Sequence, residues 1–186
     1  MNIKITDWCH NIIKSIAKPG GVYIDATMGN GNDTLFLCEL AGTGGNVTAF
    51  DIQKTALINT RKLLEKNMML ERAQLILDSH ENIDQYFHEN IADVICFNFG
   101  YLPKGDHSIS TKADTSVIAI QKALNVLKVG GIMSLCVYSG GDTGFEEKGK
   151  ILKLMSSLSS KDFTVIVNTY YNRVNNPPVP IFIVKN

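Results

Sequence analysis

Residues 22 to 33 read Val-Tyr-Ile-Asp-Ala-Thr-Met-Gly-Asn-Gly-Asn-Asp, a short apolar run that breaks into an acid and a Gly-x-Gly loop just ahead of a helix-like stretch. A run of this length bounded by turn residues reads as a strand buried in a sheet. Gly29 and Gly31 then supply a turn through which backbone amides approach a ligand closely. Such a loop holds a nucleotide-like cofactor, and it commits the chain to an open α/β sheet.

The rest of the chain continues the alternation. Apolar side chains at Ile5, Trp8, Ile12, Ile13 and Ile16 form a helical stripe that Lys18-Pro-Gly-Gly stops. Strands are expected at 22–26, 46–50, 74–77, 92–97, 132–138, 164–169 and 180–184, with helices at 33–40, 54–66, 81–87, 114–127 and 145–158. Asn32 and Asp33 are capping candidates for the first of these helices. The last two strands flank a loop, 170–178, too short for a crossover helix, so they should pair antiparallel. The predicted fold is α/β: one domain over 1–186, a mostly parallel seven-stranded sheet with helices on both faces and an antiparallel terminal hairpin.

In such a sheet, ligands bind beyond the carboxyl ends of the strands. The polar residues gather there: Asp25 to Asp33, Asp51-Ile-Gln53, Asp78-Ser79-His80 and Asn98-Phe-Gly-Tyr101. Asp51 follows the glycine loop by about 20 residues, the place of a carboxylate that takes both hydroxyls of an adenosine ribose. A dinucleotide oxidoreductase would use the same acid. The loop lacks a third glycine, however, and Asp33 would repel a diphosphate docked on the helix N-terminus. A cofactor with an ammonium and a sulfonium group suits Asp25 better, which points to S-adenosylmethionine. Thr27, Gly29, Asn30, Gly31, Asn32 and Asp33 would line its methionine end, Asp51 and Gln53 its ribose, and Ser79 and His80 its adenine. Asp33 and His80 read equally as residues that start helices.

Asn98-Phe-Gly-Tyr-Leu-Pro103 is similar to the Asn/Asp-Pro-Pro-Tyr motif with which class I methyltransferases hold an amino nitrogen beside the methyl group. In-line displacement needs a nitrogen lone pair aimed at the methyl carbon, and an Asn side chain with a nearby carbonyl can orient it. Asn98 and Gly100 also count among the candidate cofactor contacts, and Phe99 or Tyr101 could flank the base or the sulfonium. Read without function, the segment is a strand-exit turn with core aromatics. Asn176-Pro-Pro178 repeats some of the letters without the aromatic and reads as a rigid loop overhanging the site.

Taken in order, the Asp25–Thr34 loop, Phe50-Asp-Ile-Gln53, Asp78-Ser-His80, Asn98–Asp106, Tyr138 with its Gly-rich loop and Glu146-Glu147, and Asn175-Asn-Pro-Pro178 resemble the YtqB/MnmM family of stand-alone class I methyltransferases, long labelled rRNA methylases. The resemblance implies a Rossmann-like fold and methylation of the amine of 5-aminomethyl-2-thiouridine at the tRNA wobble position. The chain departs from the family where a His-rich loop is expected after the fifth strand and reads Tyr-Ser-Gly-Gly-Asp-Thr-Gly. The alkylamine must lose a proton, and Asp106 beside His107 is the candidate base.

Composition narrows the rest. Charges balance at 18 against 18, so no wholesale nucleic-acid footprint is present, although Lys104, Lys112, Lys148, Lys150 and Arg173 fall near the cleft face. A splayed tRNA anticodon can be held by stacking, with Tyr138, Tyr170 and Tyr171 as candidate platforms. Four scattered cysteines without metal-ligand spacing suit buried thiols in a reducing cytoplasm, and metal is not expected. No run is long enough to span a membrane. The alternatives are an rRNA or small-molecule methyltransferase on the same fold, a dinucleotide oxidoreductase, or a non-catalytic nucleotide-binding module; a homodimer is left open.

Overall fold

The computed structural model describes residues 4–100, 111–139 and 144–186. Seven strands form one sheet in the order β3-β2-β1-β4-β5-β7-β6: β1 Val22–Asp25, β2 Asn46–Asp51, β3 Ala73–Leu77, β4 Ala92–Phe99, β5 Leu127–Val137, β6 Phe163–Val167 and β7 Val179–Lys185. The first five run parallel, and β7 pairs antiparallel with both β5 and β6. The expected terminal hairpin is therefore present.

Alternation along the central strands builds two apolar layers from one sheet. Tyr23 of β1 and Val94 and Cys96 of β4 join Ile13 of α1 (Ile5–Ile16), Phe36 and Leu37 of α2 (Asn32–Ala41) and Leu64 of α3 (Lys54–Lys66). Ile24, Ile95 and Phe97 face the other way, onto Ala119, Ile120 and Ala123 of α4 (Ala113–Val126) and Ile151 and Met155 of α5 (Gly144–Ser157). Successive residues point to opposite faces because the strand period is two. Each fully buried Ile or Phe stabilises by about 1.5–3 kcal/mol relative to exposure.

Three boundaries differ from the sequence expectation. Residues 80–85 form a 3-10 segment rather than an α-helix, with Ser79 as its cap accepting from the Glu81 amide at 3.4 Å; six residues are too few to sustain α-helical turns without an apolar stripe. Strand β4 runs on through Asn98 to Phe99, since Asn98 and Phe99 pair with Cys136 and Val137 of β5. Asn98 is therefore a strand residue and not the first residue of a loop. Finally, 127–131 is part of β5, its extra residues accommodated at an irregularity opposite Ala92–Val94, where Gly130 adopts φ 77°.

Beyond the parallel strands' carboxyl ends, the order reverses between β1 and β4. That switch point is the cleft a doubly wound sheet offers a ligand.

Candidate functional site

The glycine loop is drawn tight by its own backbone and by its neighbours. Met28 N–H donates to Phe50 O at 2.8 Å and Gly31 N–H to Met28 O at 2.7 Å. Gly31 has φ 82°, and a Cβ there would stand 2.9 Å from the Cα of Thr60. Only glycine meets both conditions. Gly29, at φ 51°, accepts from the Thr60 hydroxyl at 3.2 Å, and the Asn30 side chain accepts from Asn59 at 3.0 Å. Gly31 itself is the cap of α2, with Asn32 and Asp33 as the first two helical residues and no side-chain cap bond. The capping role expected of Asn32 and Asp33 is corrected accordingly, because the left-handed glycine already turns the chain into the helix.

Asp25 lies beneath this loop and is fully buried. One of its oxygens accepts from the Thr34 hydroxyl at 2.6 Å and the other from the Thr27 amide at 3.1 Å. Any complement it offers a cationic ligand passes through the loop instead of by open contact. Burial foremost, then the charge of Asp33, pushes its carboxyl from 3.8 up to about 7, against the opposing pull of the Thr34 and Thr27 bonds. A folded-state value above the unfolded one means that the folded chain binds the extra proton. Stability from this group is full below 3.8 and is lost as pH rises through about 7. Thermal melts of ligand-free protein across that window should fall with pH, and Asp25→Asn should flatten the fall. Parallel curves for the two proteins would refute the assignment.

Asp51, at the end of β2, is half-buried and accepts the Gly29 amide at 3.0 Å on one oxygen and the Gln53 amide at 2.9 Å on the other. Burial raises its carboxyl above the ordinary range, opposed by those amides. Gln53 caps α3 through its backbone conformation. At the end of β3, Asp78 accepts from the Ser79 amide, Asn82 and the Tyr86 hydroxyl, which hold its carboxyl low. His80 packs edge-on against Phe97 and Phe99, at 5.9 and 6.3 Å between centroids. Burial lowers it to about 4, so the ring is neutral near pH 7, and its Nε2 has no partner among the described residues.

Across the switch point, the Asn98 amide N–H donates to the Thr27 hydroxyl at 2.7 Å, tying β4 to the glycine loop. The Asn98 side chain donates through Nδ2 to Asp33 Oδ2 at 2.5 Å. With Nδ2 on Asp33, Oδ1 is left as an acceptor on the opposite side. The other Asp33 oxygen takes His10 Nε2 at 2.8 Å, and the His10 ring stacks on Phe36 at 3.7 Å and 6°. The chain His10–Asp33–Asn98 orients the one amide side chain at the end of β4.

Gly100 closes the described part of this segment. Its amide donates to the Thr111 hydroxyl at 2.9 Å, the Thr111 amide donates back to Gly100 O at 3.0 Å, and Tyr138 lies over it. Thr111 and Ser116 both donate to Glu147, a carboxylate buried in α5 whose burial raises its proton affinity. Tyr101 and Asp106 fall outside the described residues, as does 140–143.

The structure thus brings Thr27, Gly29, Asn30, Gly31, Asp33, Asp51 and Asn98 into one hydrogen-bonded cluster, with Ser79 and His80 at the end of β3. Sequence reasoning missed His10, Asn59 and Thr60, and it named Glu147 only within the family resemblance, without this role. Each acts from a helix distant in sequence, and no local spacing announces it. Thr34 could have been found, as the hydroxyl one helical turn beyond the glycine that faces the strand-end acid.

Comparison with known proteins gives the chain a family. A family model described as "Putative rRNA methylase" matches residues 47–184. The "tRNA (mnm(5)s(2)U34)-methyltransferase, chloroplastic" of Arabidopsis thaliana is 34% identical over 189 residues, covering 97% of this chain and 68% of that protein. A "putative rRNA-methylase" from Clostridium thermocellum superposes with a TM-score of 0.95 at 43% identity, covering 100% of both chains. A "putative methyltransferase" from Streptococcus mutans "in complex with SAH" does so at 0.88 and 37%, again over 100% of both. The chain belongs to the rRNA methylase family.

Proposed function

We propose that this protein is an S-adenosylmethionine-dependent RNA methyltransferase that methylates the amine of 5-aminomethyl-2-thiouridine at the tRNA wobble position. The observation that carries the reading is the Asn98 side chain, fixed by Asp33 at the switch point with its carbonyl oxygen turned away as an acceptor. The naming of the Arabidopsis relative supports the same substrate.

The cleft suits the cofactor's chemistry. Each Asp51 oxygen accepts one backbone amide and keeps a second lone pair, enough for two ribose hydroxyls. Gly29, Asn30, Gly31 and Asn32 form the cradle for the methionine end, with Thr27 and Asp33 at its rim and Asp25 below. Gln53, Ser79 and His80 border the adenine, where a neutral His80 offers an unpaired ring nitrogen. When bound, S-adenosylmethionine supplies a methyl carbon made electrophilic by the sulfonium.

On the acceptor side, Asn98 Oδ1 accepts an amine hydrogen and aims the lone pair, and Gly100 leaves room for the backbone beside it. Tyr101 and Asp106, which lie outside the described residues, are the proposed ring beside the base and the proposed proton acceptor. The four cysteines are buried thiols, in keeping with action in the cytoplasm or another reducing compartment. Among the described residues, no helix is long and apolar enough to cross a membrane.

The test is nucleoside mass spectrometry after incubating the protein and S-adenosylmethionine with tRNA bearing the unmethylated aminomethyl-thiouridine, and separately with unmodified rRNA. Conversion of the wobble nucleoside alone is expected. Methyl incorporation into rRNA only would overturn the tRNA assignment.

A further inference from the structure

Glu147 is 2% exposed and lies in the first turn of α5, with each carboxyl oxygen bonded to a hydroxyl. Ser116 of α4 donates to one at 2.6 Å, and Thr111, just ahead of that helix, donates to the other at 2.9 Å. Burying such a group is costly unless its bonds are made, and here each oxygen has a partner. α5 also starts hard against β5, since a Cβ on Gly144 would stand 3.1 Å from Tyr138 O. The carboxyl group is thus held in place against the end of the sheet.

What it holds in turn is the exit of β4. The Thr111 hydroxyl has one hydrogen and two acceptors in reach, Glu147 Oε2 at 2.9 Å and Gly100 O at 3.4 Å. With the hydrogen on the nearer acceptor, the Oγ1 lone pairs are free to take the Gly100 N–H, whose nitrogen lies 2.9 Å away. The Thr111 N–H returns to Gly100 O at 3.0 Å. This clamp closes a weak place in the ladder, because Tyr138 N–H reaches Phe99 O at 3.4 Å, past the usual range of roughly 2.7–3.2 Å. Asn98 stands only two residues before Gly100. A looser Gly100 therefore lets the backbone that carries the Asn98 side chain move against the glycine loop.

We propose that Glu147 is a positioning residue for methyl transfer, acting through Thr111 and Gly100 on the aim of Asn98. This role rests on the proposed reaction at Asn98 and adds to it the residue that steadies the strand end. Glu147 is buried, so it acts by holding and makes no contact with the amine. Loss of the clamp misaims the acceptor without emptying the cofactor cradle, which lowers kcat and spares binding.

The experiment compares wild type with Thr111→Val, Thr111→Ser, Glu147→Ala, Glu147→Gln and the Thr111→Val, Glu147→Ala double variant. Kinetics are read on tRNA bearing the aminomethyl-thiouridine, and nitrogen–proton NMR is read on the ligand-free protein. Thr111→Val and Glu147→Ala should each lower kcat about tenfold, with KM for tRNA and S-adenosylhomocysteine affinity within about twofold of wild type. Thr111→Ser and Glu147→Gln, which keep the hydroxyl and one acceptor oxygen, should recover most of the loss. The double variant should be no slower than the slower single, because both changes cut one path. In the spectra, the Gly100 amide and the Asn98 side-chain NH2 should move in the Val and Ala variants and return in the Ser and Gln variants. If Glu147→Ala does not fold, the Thr111 pair decides. A Thr111→Val enzyme that melts lower yet keeps its kcat would overturn the role, as would losses that multiply in the double variant. Wild type that leaves the tRNA unmethylated fails the reaction, whereas unmoved Asn98 resonances in Thr111→Val fail the positioning, so the two readings are told apart.

Discussion

Asn98→Ala should lower kcat for methyl transfer by about a hundredfold or more while S-adenosylhomocysteine affinity moves only a few-fold. The expected size follows from what the side chain does. Its Nδ2 is bound to Asp33, and on the proposed reading its Oδ1 accepts an amine hydrogen, so truncation removes the group that aims the lone pair and leaves the backbone of the glycine loop in place. The backbone amide that meets Thr27 also survives, which keeps β4 in register. Asn98→Asp is the sharper companion. A second carboxylate 2.5 Å from Asp33 would force one of the two to hold a proton, which would lie between them where the Nδ2–H now points at Asp33. Activity of this variant should therefore fall as pH rises and the shared proton is lost. Single-turnover kinetics with cofactor preloaded provide the measurement, and an Asn98→Ala enzyme within about fivefold of wild type would remove the orienting role.

Asp51→Ala should weaken the cofactor by about 3 kcal/mol, roughly a hundredfold in Kd, since two hydrogen bonds to a charged acceptor are lost together. The same change orphans the Gly29 and Gln53 amides, so a drop in thermal stability is expected as well. Asp51→Asn separates the two effects. It retains one acceptor oxygen but turns an NH2 toward a backbone donor, so it should sacrifice affinity with a milder stability cost. Calorimetry with S-adenosylhomocysteine reads the affinity, and a melt without ligand reads the fold. Unchanged affinity in Asp51→Ala would place the ribose elsewhere.

How much of this was legible in the sequence depends on how local each signal is. The strand, acid and Gly-x-Gly of 22–31 are contiguous, and the alternation of apolar runs with turn residues carried the sheet and its antiparallel end. Helix α3 falls on 54–66 as its apolar spacing requires. Asn98 was found by its motif, but its place inside β4 was not, because pairing with Cys136 is decided by a partner nearly 40 residues away. The same holds for Asp33. Its sequence position says cap, whereas the left-handed Gly31 takes that function and frees the carboxylate to bridge His10 and Asn98. His10, and the bonds that Glu147 takes from Thr111 and Ser116, were invisible for the same reason, since a helix face acquires meaning only once its opposite surface is known.

The bond from the Asn98 amide to the Thr27 hydroxyl has a geometric corollary. β1 and β4 are adjacent strands, so the loop proposed to cradle the donor and the residue proposed to aim the acceptor are separated by a single strand spacing, about 4.8 Å. That interval is set by backbone hydrogen bonding and cannot be stretched without breaking the ladder. On the proposed reading, the interval between donor and acceptor is gauged by the sheet itself.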